Sequence, residues 1–160
     1  MTLRPLALAK LLSLAVPAAL LAGAYGSQYL GGLAPCEMCY WQRWAHIAAL
    51  GFALAAFPGR GLPDRGRSFV WLAALSILVS GIIGFYHWGV EADIFEGFTQ
   101  CSASGGHRTL ADIMAAPLVR CDEVQWELLG ISMAGWNAIL SVLSALMILW
   151  LSLKPTPIRR

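Results

Sequence analysis

The chain has 160 residues, of which 58% are apolar and only 12% charged, with a formal net charge of +2 and a mean hydropathy of +0.65. That much apolar side chain oversupplies a soluble core of this length, which excludes an ordinary soluble domain and points to one membrane-embedded unit. The net charge says little as a total; its placement along the chain is what informs.

Residues 1–10 form a short basic lead with Arg4 and Lys10. Residues 11–30 then supply the ~20 apolar positions that cross a bilayer as a helix. Pro17, in the middle of this span, is expected to kink the helix without breaking it, because neighbours in a bundle take up the freed carbonyl. A cleaved signal peptide is the rival for this segment, since Ala22-Gly23-Ala24 resembles a small-residue cleavage site. The apolar run continues past Ala24 to Leu30, which favours a retained helix. Either way residue 31 onward emerges on the same side.

A tight break over residues 31–35 leads into Pro35-Cys36-Glu37-Met38-Cys39-Tyr40-Trp41-Gln42-Arg43, at the head of a second span over residues 40–57. The sulfurs of a Cys-x-x-Cys pair sit close enough to cycle between dithiol and disulfide, and a helix N-terminus or a nearby cation makes such thiols reactive. Arg43 follows Cys39 by four residues, so in a helix the two share one face, one turn apart. An arginine this deep is costly unless it snorkels or finds a partner. Its register with Cys39 favours stabilising a Cys39 thiolate, or negative charge developing on a bound electron acceptor. Glu37, between the cysteines, opposes thiolate formation.

Residues 58–68 form a Gly/Pro turn with Arg60, Arg65 and Arg67 against the lone Asp64. The third span, residues 69–88, ends in Phe85-Tyr86-His87-Trp88, an interfacial aromatic belt. His87 there is either locally hydrogen-bonded or a proton donor to a reduced acceptor, whereas His46 and His107 read as ordinary polar residues. Residues 89–125 are the one long polar segment and carry Cys101 and Cys121. Leu110, Ile113, Met114 and Leu118 approximate a helical stripe, so residues 109–116 are expected to lie flat on the outer leaflet, with Cys101 on a mobile arm. Residues 131–153 make the fourth span, and Lys154, Arg159 and Arg160 close the chain.

The fold class that follows is all-α: a single domain over residues 1–160, a four-helix transmembrane bundle with outer loops at 31–39 and 89–130 and an inner turn at 58–68. If four spans alternate, Arg4, Lys10, Arg60, Arg65, Arg67, Lys154, Arg159 and Arg160 share one side, and only Arg43, Arg108 and Arg120 take the other. The positive-inside rule then makes both termini cytoplasmic and puts Cys36, Cys39, Cys101 and Cys121 outside, where disulfides persist. Inert buried cysteines fit poorly with four placed in or beside outer loops. Two structural disulfides remain as a plainer reading. A four-thiolate metal site suits the spacing badly, because nineteen residues separate Cys101 from Cys121.

Four spans, a Pro-Cys-x-x-Cys-x-x-x-Arg opening the second, and a lone cysteine pair in the second outer loop resemble the DsbB family. The run Trp126-x-x-Leu129-Gly130-x-Ser132-Met133-x-x-Trp136-Asn137 is also similar to it. The resemblance covers nearly the whole chain. It implies a bacterial inner-membrane thiol:quinone oxidoreductase that reoxidises a periplasmic DsbA-like dithiol oxidase. Cys36, Cys39, Cys101 and Cys121 would be the catalytic cysteines, and Arg43 and His87 the quinone-binding residues. The quinone would be ubiquinone or menaquinone, with neither metal nor nucleic acid expected. A partner thiolate would open a Cys101–Cys121 disulfide, and Cys121 would pass the electrons to Cys36–Cys39 after a loop movement. Two alternatives stand beside this: a vitamin-K-epoxide-reductase-like oxidase, whose Cys-x-x-Cys lies in a late span, and a cysteine-rich metal-binding membrane protein.

Overall fold

The computed structural model describes residues 5–97, 102–103 and 118–155. Cys101, His107, Arg4, Arg108, Arg159, Arg160 and the segment 109–116 lie outside the described residues. Among the described residues the long elements are four α-helices: α1 (Pro5–Tyr29), α2 (Glu37–Ala56), α3 (Arg67–Glu91) and α4 (Met133–Leu153). A short 3-10 turn, Pro58–Gly61, joins α2 to α3. Helix α1 runs through Pro17, and α3 continues to Glu91, past the expected end of its span. Three helices, α1, α3 and α4, are long and apolar enough to cross a membrane. Helix α2 has the length, at 20 residues, but Glu37, Gln42, Arg43 and His46 lower its apolar content.

Helix α3 is central, packed along α2 on one side and α4 on the other, while α1 leans on α2 and α4. Small residues permit this approach, as they do wherever apolar solvent gives helices little reason to associate except close fit. A methyl group at Gly84 would stand 3.0 Å from both the Ala134 carbonyl and the Asn137 amide nitrogen. Toward the end that carries the Pro58–Gly61 turn the helices meet over Ala9, Ala49, Ala56, Val70, Ala74, Ile77, Ala145 and Ile148, all fully buried.

At the opposite end, residues 118–132 of the connection between α3 and α4 lie against the bundle. Strand β1 (Ser102–Ala103) pairs antiparallel with β2 (Leu118–Val119), Ser102 facing Val119. Strand β3 (Glu127–Leu128) pairs with β4 (Ile131–Ser132) through a turn in which Leu129 and Gly130 both take positive φ, 56° and 75°, the geometry of a tight primed hairpin. Gln125 donates to the Ala34 carbonyl at 2.8 Å, and Val119 and Cys121 pack with Cys36, Met38 and Val90 in a second core cluster. This apolar clasp carries Cys121 to the head of α2.

Candidate functional site

Cys36 is the N-cap of α2, in extended conformation, with its sulfur accepting from the Cys39 amide at 3.4 Å. It fills the position that Ser, Thr, Asp or Asn usually take, which sets the sulfur at the positive end of the helix. Cys39 follows one turn in, and Cys36 Sγ donates to Cys39 Sγ at 3.1 Å. Glu37 occupies the first turn of α2, where a carboxylate is favoured by the helix dipole; that accounts for an acidic residue between the two cysteines.

Arg43 does not snorkel. It is 6% exposed and reaches across to α1, donating from Nη2 to the Ala24 carbonyl at 3.0 Å and from Nη1 to Gln28 Oε1. Its guanidinium also lies over the Tyr25 ring, 4.9 Å from the centroid. These contacts hold a cation within electrostatic reach of Cys39.

His87 stands on the other side of the pair. Its Nε2 is 3.5 Å from Cys36 Sγ and 3.7 Å from Glu91 Oε1, while Nδ1 lies 3.0 Å from the Gln42 amide nitrogen. The Cys121 backbone also hydrogen-bonds the ring. Glu91, one turn on, accepts from the hydroxyl of Ser132, the N-cap of α4. The Cys121 sulfur lies within 4.8 Å of both Cys36 Sγ and the His87 ring nitrogen. Its hydrogen bond with Cys36, then that from Cys39 and burial, push the Cys36 thiol well above its ordinary value. The loop movement that the sequence reading assigned to Cys121 is therefore not needed to bring it to Cys36. Cys36 and Cys39 are free thiols here, not bonded to each other.

Beside this cluster opens a cavity of about 590 Å³, lined by Gly23, Cys39, Arg43, His46, His87 and Trp136 among others. Its size suits a small organic ligand, since such pockets run roughly 300–1,000 Å³. Four residues that the sequence reading passed over belong to the site. Gln42 touches His87, and Asn137 links Gln42 to His46, whose Nε2 is 2.9 Å from Asn137 Oδ1. Glu91 supports the His87 end. His46, read from sequence as ordinary, is buried on the cavity wall. The signal that would have found two of them, Gln42 and His46, is register: Cys39, Gln42, Arg43 and His46 share a face of α2, and polar side chains gathered on one face of an otherwise apolar helix mark function.

The disulfide bond formation protein DsbB family model matches residues 7–151. The chain is 33% identical to disulfide bond formation protein B 2 of Pseudomonas aeruginosa over 131 residues, 76% of this chain and 75% of that one. It is 31% identical to disulfide bond formation protein B of Paracidovorax citrulli over 163 aligned positions, 93% of this chain and 88% of the relative. A similar protein of Verminephrobacter eiseniae is 33% identical, over 87% of this chain and 81% of that one. No solved structure gives a significant match.

Proposed function

Since the chain belongs to the DsbB family and is a multi-pass membrane disulfide-forming oxidoreductase, we propose that it reoxidises a periplasmic DsbA-like dithiol and passes the electrons to a membrane quinone. In this reading all four helices cross the bacterial inner membrane, both termini are cytoplasmic, and the cysteines face the periplasm. One observation carries it. Cys39 and Arg43 line the cavity, while Cys121 meets Cys36, so one sulfur pair touches both a donor-side thiol and space for an acceptor.

The residues present fit such an acceptor. Leu20, Ala24, Leu33 and Ala134 give the cavity apolar walls, and Arg43 offers fixed N–H donors for a polarised oxygen. When bound, a quinone supplies a two-electron oxidant soluble in the bilayer. Everything else falls to the chain. The partner thiolate attacks Cys101 of a Cys101–Cys121 disulfide, forming a mixed disulfide and releasing Cys121 as thiolate. Cys121 then attacks Cys36 of the Cys36–Cys39 disulfide. The Cys36–Cys121 bond forms, the Cys36–Cys39 bond breaks, and the electron pair leaves on Cys39, where the guanidinium of Arg43 supports the charge. The partner's second thiol displaces Cys101, and Cys101 attacks Cys121, so that the Cys101–Cys121 bond re-forms, the Cys36–Cys121 bond breaks and the electron pair stays on Cys36. The Cys36/Cys39 dithiol would then give two electrons to a bound quinone as its own disulfide re-forms. A DsbA couple lies near ~−120 mV, and each 30 mV by which an acceptor falls short of it costs ~1.4 kcal/mol, so the acceptor's potential must lie above the partner's.

The test is acceptor reduction by the purified protein, driven by a reduced DsbA-like dithiol. Cys39→Ser loses turnover, and Arg43→Ala raises the quinone KM about tenfold, the loss of a charge-assisted hydrogen bond. Unchanged kinetics in Arg43→Ala remove the role assigned to Arg43. A metal-binding reading has one observation in its favour, the mutual 4.8 Å spacing of ligand atoms on Cys36, His87 and Cys121. It requires stoichiometric zinc in the purified protein that thiol oxidation releases.

A further inference from the structure

We propose that Gln42 and Asn137 are positioning residues that hold His87 as the tautomer protonated on Nε2, so that this N–H meets negative charge whenever it lands on the Cys36 sulfur.

Two backbone carbonyls decide the matter, because a carbonyl only accepts. The Ser80 carbonyl lies 3.2 Å from Asn137 Nδ2, and the Met38 carbonyl 3.2 Å from Gln42 Nε2. Reversing either amide would set oxygen against oxygen, so the network fixes both orientations. The middle of the chain agrees, since Asn137 Nδ2 donates to Gln42 Oε1 at 2.8 Å. The Gln42 nitrogen therefore faces His87 Nδ1 at 3.0 Å, and Nδ1 must offer a lone pair. A neutral imidazole has one N–H, which then sits on Nε2. A doubly protonated ring would point an N–H at the Gln42 N–H, which the same contact disfavours.

Acceptors are what Nε2 meets. Cys36 Sγ is at 3.5 Å and Glu91 Oε1 at 3.7 Å. The two sulfurs of the pair thus have different supports: Arg43 beside Cys39, and the His87 N–H beside Cys36. The step served is the opening of a Cys36–Cys121 disulfide by a thiolate attacking Cys121. One S–S bond forms at Cys121, the Cys36–Cys121 bond breaks, the electron pair stays on Cys36, and His87 keeps its proton throughout. The same protonated Nε2 also opposes use of His87 as a metal ligand through that nitrogen.

The proposal rests on reading Cys36 as an exchanging thiol and is independent of the acceptor. The first test is the ring-nitrogen NMR spectrum of the full protein in lipid with 15N-labelled histidine, His87 being assigned by its loss in His87→Leu. The expected result is a bare Nδ1 and a protonated Nε2, with Gln42→Leu giving a mixture of tautomers. A protonated Nδ1 in the unsubstituted protein overturns the proposal. The second is iodoacetamide alkylation of Cys36 as the sole cysteine. His87→Leu should slow it about tenfold, the effect of one hydrogen bond to a charged sulfur, and His87→Gln, whose amide restores an N–H, should stay within about threefold. If His87→Leu instead leaves alkylation unchanged and raises the quinone KM, His87 serves the acceptor and the proposal fails. Failure of quinone reduction itself would leave both the spectrum and the alkylation result standing.

Discussion

The half of the bundle beside the Pro58–Gly61 turn, inner in the proposed orientation, is closed by small and branched apolar side chains, with Ala9, Ala49, Ala56, Ala74, Ile77 and Ile148 at zero exposure. The other half of the same helices, outer in that orientation, encloses Gln42, His46, Ser80, His87 and Asn137 in one hydrogen-bonded chain and leaves a cavity of about 590 Å³. Close packing stabilises the first. The second forgoes packing contacts, and its polar groups bond to one another and to the Met38 and Ser80 carbonyls, while His46 Nδ1 is buried with no partner among the described residues, an arrangement that persists where a site requires it. Packed core and candidate site are thus separated along the length of the bundle, and substitutions should separate stability from chemistry too.

The largest contrast is between Cys39→Ser and Ile148→Ala. The first abolishes turnover and leaves the melting temperature unchanged. The second lowers unfolding stability by about 2–5 kcal/mol, the range for truncating a buried isoleucine, with the quinone KM unaltered. A Cys39→Ser protein that melts like Ile148→Ala would erase the division. Gly23→Leu sharpens it. A Cβ at Gly23 meets nothing within 4 Å, so the new side chain enters the cavity; the KM for acceptor rises severalfold while thermal unfolding stays put. An unchanged KM would separate the cavity from acceptor binding.

The smallest effect belongs to the inner turn. Hydrogen bonds from the Ser68 hydroxyl, then from the Ser68 and Gly66 amides, hold the Asp64 carboxyl at about 2, below its ordinary 3.8. A depressed carboxyl stabilises the fold fully above its unfolded value and loses that contribution as pH falls through the folded one. Acidification from pH 5 towards pH 2 should therefore lower the melting temperature less in Asp64→Asn than in the unsubstituted protein. Parallel curves would remove Asp64 from the cause.

Much of the outer site is legible in the sequence because its parts are local. Cys36, Cys39 and Arg43 are read by spacing alone, since a helix start converts that spacing into one face. The clustering of arginines around residues 58–68 is equally local. Gln42, Glu91 and Asn137 are different: each is one polar residue whose partner lies on another helix, Asn137 reaching Gln42 across 95 positions. No window of sequence holds both ends of such a bond. Cys121 is hidden for the same reason, because its place beside Cys36 depends on Val119 and Cys121 burying themselves against Met38 and Val90. The polar content of α2 also lowers its hydropathy below that of the other long helices, although the Cys-x-x-Cys stands at its head.

The division into an outer redox half and an inner structural half is tested most directly by sidedness. In a cysteine-free background, Leu129→Cys, at an outer-loop position 85% exposed, and Arg65→Cys, in the exposed inner turn, are treated in intact spheroplasts with a membrane-impermeant thiol reagent. Labelling of Leu129→Cys before lysis and of Arg65→Cys only after it is the expected result. The reverse order would put the thiols in the cytoplasm and contradict the assignment of every step above.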